Sequence, residues 1–280
     1  MTIEQIMGRD EERPLDRYYP ANGGFCGIFR TIGCIGDSLA SGEFESMDEE
    51  GNKGYHDYFE YSWGQYIARE AGCKVYNFSR GGMTAKEYCD SFASINDFWS
   101  PEKRCQAYII ALGVNDTNVL GSNLGSIEDI DRDDWRKNKD TFVGNYARII
   151  QRMKENQPKA KFFLVTIPKR MDFPEEHPDG QVEEHEKARN CAEELHRELI
   201  YKIAEFFDNT YVIDLRKEAP FQNKEYRKLF MLGGHRNPCG YMVMARMLMT
   251  YIDYLIRHNM DDFKQVAFIG KDFHNVSEKW

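Results

Sequence analysis

The chain has 280 residues, 41% of them hydrophobic and 14% aromatic, which is enough to bury one large core and excludes a disordered protein. Its formal net charge of -9, with acids and bases spread along the chain, argues against a nucleic-acid binder and against attachment to anionic membranes, both of which need a basic face. The seven cysteines, at 26, 34, 73, 89, 105, 191 and 239, are odd in number and include no Cys-x-x-Cys pair, so buried reduced thiols are expected.

The first residues, "MTIEQIMGRDEERPLDRYYP", interrupt their apolar positions with acids and arginines and do not read as a secretory signal, which implies a cytoplasmic location. Residues 1–28 read as an N-terminal arm, 29–257 as one domain and 258–280 as a C-terminal tail. The first strand, Thr31 to Gly36, runs directly into Asp37 and Ser38. An insertion follows at 43–61, "EFESMDEEGNKGYHDYFEY". Its acids Glu43, Glu45, Asp48, Glu49 and Glu50 read as a solvated face, and its aromatics as either a mouth over Ser38 or a protein contact, with Trp63 and Tyr61 as core.

Ser62 is placed to cap a helix that Gly72 ends, and the second strand follows from Lys74 to Phe78. Thr84 and Glu87 form a capping box, and Cys105 to Leu112 is the third strand. Phe142, Tyr146, Ile149, Ile150 and Met153 stripe a helix before the fourth strand, Lys161 to Ile167. After a second insertion at 169–182, a long charged helix runs from Val182 to Phe207 and a fifth strand from Thr210 to Leu215. The apolar stretch Tyr241 to Ile256 carries Arg246 and Asp253 and is short for a membrane span, so it reads as a core-facing amphipathic helix. Strands alternating with helices predict a parallel sheet covered on both faces, with ligands bound at its carboxyl edge.

Four strand ends or loops carry complementary chemistry. "GDSL" at 36–39 offers the Ser38 hydroxyl; "NFSRGGMT" at 77–84 offers glycine N–H groups; "LGVNDT" at 112–117 offers the Asn115 amide; "LGGHRNPCGY" at 232–241 offers His235. A serine becomes a nucleophile when a base takes its proton, and the oxyanion that forms needs fixed donors. His185 and His196, eleven residues apart on one helix, would stand about 16 Å apart, too far to share a metal, and no metal or other cofactor is expected.

In these motifs the chain resembles the SGNH hydrolases, the GDSL esterase/lipase family, over about residues 30–257. Gly36, Asp37, Ser38 and Leu39 match the first motif, Asn77 and Gly82 the second, Gly113, Asn115 and Asp116 the third, and His235, Asn237, Gly240 and Tyr241 the last. The resemblance implies a three-layer α/β/α, flavodoxin-like fold with a five-stranded parallel sheet. It also implies ester hydrolysis through an acyl-serine, with Ser38 attacking, His235 as base, and the Ser38 and Gly82 N–H groups and the Asn115 amide as the oxyanion hole. Asp37 and Asp116 read as loop-holding residues.

Leu232 stands where the family has an aspartate three residues before the histidine, so the group that orients His235 is open. Asp214 or Glu218 after the fifth strand are candidates, and a backbone carbonyl such as that of Leu232 is preferred because the last motif holds no acid. Arg236, in place of a proline, is left between solvent and an anionic substrate. The expected function is hydrolysis of a small acyl ester, an O-acetyl group on a carbohydrate being one candidate. A lipase or thioesterase for longer chains and a catalytically silent ligand-binding protein are the alternatives.

Overall fold

A computed structural model of the chain describes residues 11–16, 21–118, 123–169, 181–218 and 224–271. Five parallel strands form the central sheet: β1 (Thr31–Gly36), β4 (Lys74–Ser79), β5 (Ala107–Ala111), β6 (Lys161–Val165) and β7 (Thr210–Ile213), in the spatial order β4-β1-β5-β6-β7. This is the flavodoxin-like order 2-1-3-4-5, with the first crossover to one side of β1 and the others to the other side. Two small antiparallel pairs stand outside it: β2 (Glu43–Met47) with β3 (Lys53–Asp57), and β8 (Met231–Leu232) with β9 (His235–Arg236).

Side chains alternate across each strand, and both faces of this sheet are apolar. Ile32 and Cys34 of β1, Ile109 of β5 and Phe163 and Val165 of β6 enter one core. Ile35, Tyr108, Ile110, Phe162 and Leu164 enter the other. This two-sided burial requires a helical layer on each face. Helices α2 (Trp63–Ala71) and α6 (Pro238–His258) supply one, through Trp63, Ile67, Met244, Leu248 and Ile252. Helices α4 (Phe142–Asn156) and α5 (Gln181–Phe206) supply the other, through Phe142, Tyr146, Ile150, Ile200 and Ile203. The predicted strands and helices are found to within a few residues at their ends.

The predicted caps are present. Ser62 accepts from the Gln65 N–H, Gly72 ends α2 in the left-handed conformation, and Thr84 accepts from the Glu87 N–H. Tyr61 is half exposed, whereas Trp63 is buried as expected. Cys26, Cys34, Cys89 and Cys105 are buried and Cys73 partly so; Cys191 and Cys239 are exposed, a departure from the expectation for those two. At the chain ends, the 3-10 turn Ala21–Ile28 packs on α2 and α6, and Phe263 lies in the core near Phe29 and Phe163. Most of the insertion at 169–182 lies outside the described residues. Among the described residues no helix is long and apolar enough to cross a membrane, and no cluster of side chains fits a metal ion.

Candidate active site

The chain leaves β1 through Gly36 into α1 (Ser38–Ser41), a single helical turn. The close approach dictates the glycine: a Cβ on Gly36 would lie 2.5 Å from that of Ala40. Asp37 caps the turn, accepting from the Leu39 N–H at 3.0 Å, and Ser38 follows it as the first helical residue. Asp37 is fully buried; burial pushes its carboxyl up to about 7, against the pull of the Leu39 N–H and the charges of Arg236 and His235. Ser38 therefore stands at the carboxyl edge of the sheet on a tight strand-to-helix turn.

The second and third motifs meet beside it. Asn77 Oδ1 accepts from the Ser79 N–H at 2.9 Å and shapes the end of β4. Asn115, on the short helix α3 (Val114–Asn118), donates through Nδ2 to the Met83 carbonyl at 3.0 Å. Met83 follows Gly82, so the amide is tied to the loop that carries the glycine N–H groups, with its second N–H left for another acceptor. Asp116 accepts from the Ala85 N–H at 3.1 Å, holding the same loop; burial raises its carboxyl to about 6. His196, read above only as too distant from His185 to share a metal, lies within 3.1 Å of the Leu112 carbonyl under the Gly113 turn, and burial lowers it to about 4.

His235 begins β9, paired with Leu232 of β8 across the Gly233-Gly234 turn. Both α1 and β2 pack against β9. The Tyr241 hydroxyl lies 2.7 Å from the Glu43 carbonyl and 3.3 Å from that of Ser38, linking α6, β2 and α1 at one point.

The partners of the His235 ring differ from those the sequence suggested. Nδ1 lies 2.8 Å from Glu45 Oε1, and Nε2 lies 3.0 Å from Glu43 Oε1. Neither the Leu232 carbonyl nor Asp214 holds the ring. The buried Asp214 accepts instead from Thr166 Oγ1 at 3.0 Å, Arg197 Nε at 2.8 Å, Tyr201 Oη at 2.9 Å and the Lys217 N–H at 3.2 Å, which ties β6, α5 and β7 together. Glu218 pairs with Arg13 and Lys217.

The reading of Glu43 and Glu45 as a solvated face is corrected. They lie two residues apart on β2 and so share one face of the strand, the face turned to β9. Between them Phe44 points the other way, against Tyr58, Tyr61 and Tyr241. Asp48, Glu49 and Glu50, at the turn of the hairpin, are exposed as expected. The alternation Glu-Phe-Glu puts both acids on one face of a strand but does not say that this face turns inward.

The two carboxyls are shifted in opposite directions. For Glu45, burial opposes ionisation, but hydrogen bonds from His235 and the Gly234 N–H, with Lys53 nearby, hold its carboxyl below the usual range. For Glu43, burial raises the carboxyl, as do Asp57, directly opposite on β3, and Glu45, while His235 pulls it down. Asp57 is itself held by the Ser41 hydroxyl and lies 3.4 Å from the Gly81 N–H. Arg236 is buried rather than solvent-facing, and its charge acts on Asp37, Tyr226 and Tyr241.

At the rim, Tyr55 sets its ring edge-on to His235 at 6.0 Å and is 57% exposed. His56 and Tyr58 stack on each other with ring centroids 6.0 Å apart.

Fold and site together define a class: a flavodoxin-like α/β/α protein that gathers a serine, a histidine, glycine N–H groups and an asparagine amide at the carboxyl edge of its sheet. The chain belongs to the GDSL-like lipase/acylhydrolase family, whose sequence profile matches residues 34–243, and it is a carboxylic ester hydrolase of the SGNH/GDSL type. Among curated proteins no sequence matches it.

Solved structures that resemble it include Est24, a carbohydrate acetylesterase from Sinorhizobium meliloti, at a TM-score of 0.55 and 14% identity over 81% of this chain and 99% of that one. The native aryl esterase of M. smegmatis aligns at 0.53 and 15% identity, over 80% and 98%. A family two carbohydrate esterase from Clostridium thermocellum, solved in complex with cellohexaose, aligns at 0.50 and 14% identity over 83% of this chain but only 65% of that one. At these identities the likeness establishes the fold.

Proposed function

We propose that the protein removes a small, neutral acyl group from a carbohydrate, through an acyl-enzyme formed on Ser38. The observation that carries this reading is the convergence of α1, the Gly81-Gly82 loop, Asn115 and β9 at one sheet edge. In the reaction the Ser38 hydroxyl oxygen attacks the acyl carbonyl carbon while His235 takes the proton. The carbonyl oxygen, now an oxyanion, receives hydrogen bonds from the Ser38 and Gly82 N–H groups and the free N–H of Asn115. Collapse breaks the bond to the alcohol, which leaves with the proton returned by His235. Water, activated by the same histidine, then releases the acid and restores the serine.

The surroundings favour a neutral acyl group. Glu45, whose carboxyl is held below the usual range, lies beside His235, with Asp57 on the neighbouring strand, so a negatively charged substrate would meet like charge. The exposed ring of Tyr55 offers a flat apolar face with a polar edge, the chemistry that packs against sugar rings, and the hairpin sets it beside His235. The carbohydrate esterases among the similar structures are consistent with that choice.

The test is hydrolysis of aryl acetate and aryl octanoate by the wild type and Ser38→Ala, with labelling by a fluorophosphonate. Turnover and labelling are expected to disappear with the hydroxyl, and acetate to be preferred over octanoate. Preference for octanoate would favour the lipase reading instead. A folded wild type with neither turnover nor labelling would favour a binding protein.

A further inference from the structure

We infer that Glu45, on the inserted hairpin, is the positioning acid of the reaction: it holds His235 in its working tautomer and stabilises the imidazolium that forms when Ser38 gives up its proton. The inference rests on the reading of Ser38 and His235 as nucleophile and base. It assigns the missing third member to a strand some 190 residues away in sequence from the histidine, rather than to the loop in front of it.

The carboxylate is held as an orienting group would be. Its Oε1 accepts from both His235 Nδ1, at 2.8 Å, and the Gly234 N–H, at 2.6 Å, while Lys53 Nζ stands 3.5 Å from Oε2. Its side chain is 9% exposed. The loop before His235 is shaped around it. A Cβ on Gly233, where φ is +65°, would lie 2.1 Å from Glu45 Oε2, and one on Gly234 would lie 2.9 Å from Oε1. Two consecutive glycines open the space through which a carboxylate from another strand reaches the ring.

The chemistry follows from which nitrogen is held. An acceptor at Nδ1 keeps the ring proton there and makes Nε2, which faces Glu43 Oε1 at 3.0 Å, the nitrogen that takes up a proton. An ionised carboxylate also stabilises the imidazolium by a full charge, which a backbone carbonyl does not do. Glu43 cannot fill this role in the same ring orientation, because it faces Nε2, the atom that must take the serine proton. Besides these two acids, the buried Asp37 before α1 interacts with His235, while Asp57 and Lys53 on β3 act on Glu43 and Glu45, and Arg236, beside the histidine in sequence, acts on Asp37.

The experiment measures kcat and KM for an aryl acetate from pH 5 to 9 in the wild type, Glu45→Gln, Glu45→Asp and, as a control on the same hairpin, the exposed Glu49→Gln. Melting temperatures and the rate of fluorophosphonate labelling accompany each. Glu45→Gln is expected to lose about a hundredfold to ten-thousandfold in kcat with little change in KM, to label correspondingly slowly, and to shift the acidic limb of its profile to lower pH, since a negative charge beside the histidine is gone. Glu45→Asp, which keeps the charge but withdraws it, is expected to recover part of the loss, and its kcat also serves as the test should the glutamine variant not fold. Glu49→Gln is expected to match the wild type. A Glu45→Gln enzyme within threefold of wild-type kcat across the range, or a folded Glu45→Asp enzyme with full kcat, would overturn the inference. A wild type that neither turns over nor labels would remove the underlying reading, and Glu45 with it, which is a distinguishable result.

Discussion

The loop that holds His235 and the hairpin that meets it are opposites in what they contribute. The loop Leu232–Asn237 carries His235 but no acid; it supplies two glycines and a hydrophobic residue half exposed to solvent. The hairpin β2–β3 lies outside the main sheet and reaches the apolar core through Phe44, yet it brings two carboxylates to the same imidazole. A catalytic histidine needs a fixed tautomer and a compensating charge, and the chain element that supplies them is immaterial to the chemistry. On the assignment inferred for Glu45, the hairpin supplies the acid that the loop lacks, and the two glycines of the loop leave room for it.

The predictions sharpen that division between the strand ends and the hairpin. Ser38→Ala is expected to have the largest effect, loss of turnover by at least about a thousandfold, measured on an aryl acetate. The Glu45 series comes next. Asn115→Ala follows, with kcat reduced about a hundredfold to a thousandfold. Its stability should fall by only about 1 kcal/mol, for the lost bond to the Met83 carbonyl, as read by denaturant unfolding. Near-normal turnover in that variant would remove the amide from the oxyanion hole.

Asp214→Asn separates the two regions most plainly. Its carboxylate serves Arg197, Tyr201, Thr166 and the Lys217 N–H, so the variant is expected to lose about 3 kcal/mol of stability while the folded fraction keeps kcat within threefold. Loss of kcat in a folded enzyme would return the acid to the fifth strand.

The smallest effect concerns pH. The Asp37 carboxyl is raised in the folded state, to about 7, chiefly by burial. Its contribution to stability is thus fully present below the carboxyl's ordinary range and is lost as pH rises through about 7. Asp37→Asn keeps a side-chain oxygen for the Leu39 N–H and carries no charge to bury. Melting temperatures should fall less between pH 4 and 8 in the variant than in the wild type; parallel curves would show that Asp37 does not titrate there.

The fold was legible because its signals are local. Short apolar strands such as 161–165, helix stripes such as Phe142 to Met153, and the caps Ser62, Gly72 and Thr84 each state their structure within a few residues. The motifs holding Ser38, Asn77, Gly82, Asn115 and His235 were legible for the same reason: each sits next to a strand end or a turn that dictates its place. Glu45 was not. Five acids within eight residues read most simply as a hydrated surface, and only the contact between β2 and β9, which no local pattern encodes, turns two of them inward. Asp214 misled in the complementary way. It stands at a strand end where an acid is useful, but Arg197 and Tyr201, reaching over from α5, claim its oxygens.

The measurement that tests the central claim most directly is covalent labelling by a fluorophosphonate, read by peptide mapping, alongside turnover of an aryl acetate. The account predicts a single adduct on Ser38, formed at a rate that falls when His235 is replaced by alanine and when Glu45 is replaced by glutamine, in step with the loss of turnover. Turnover without an adduct on Ser38, or an adduct formed at an unchanged rate in both variants, would contradict it.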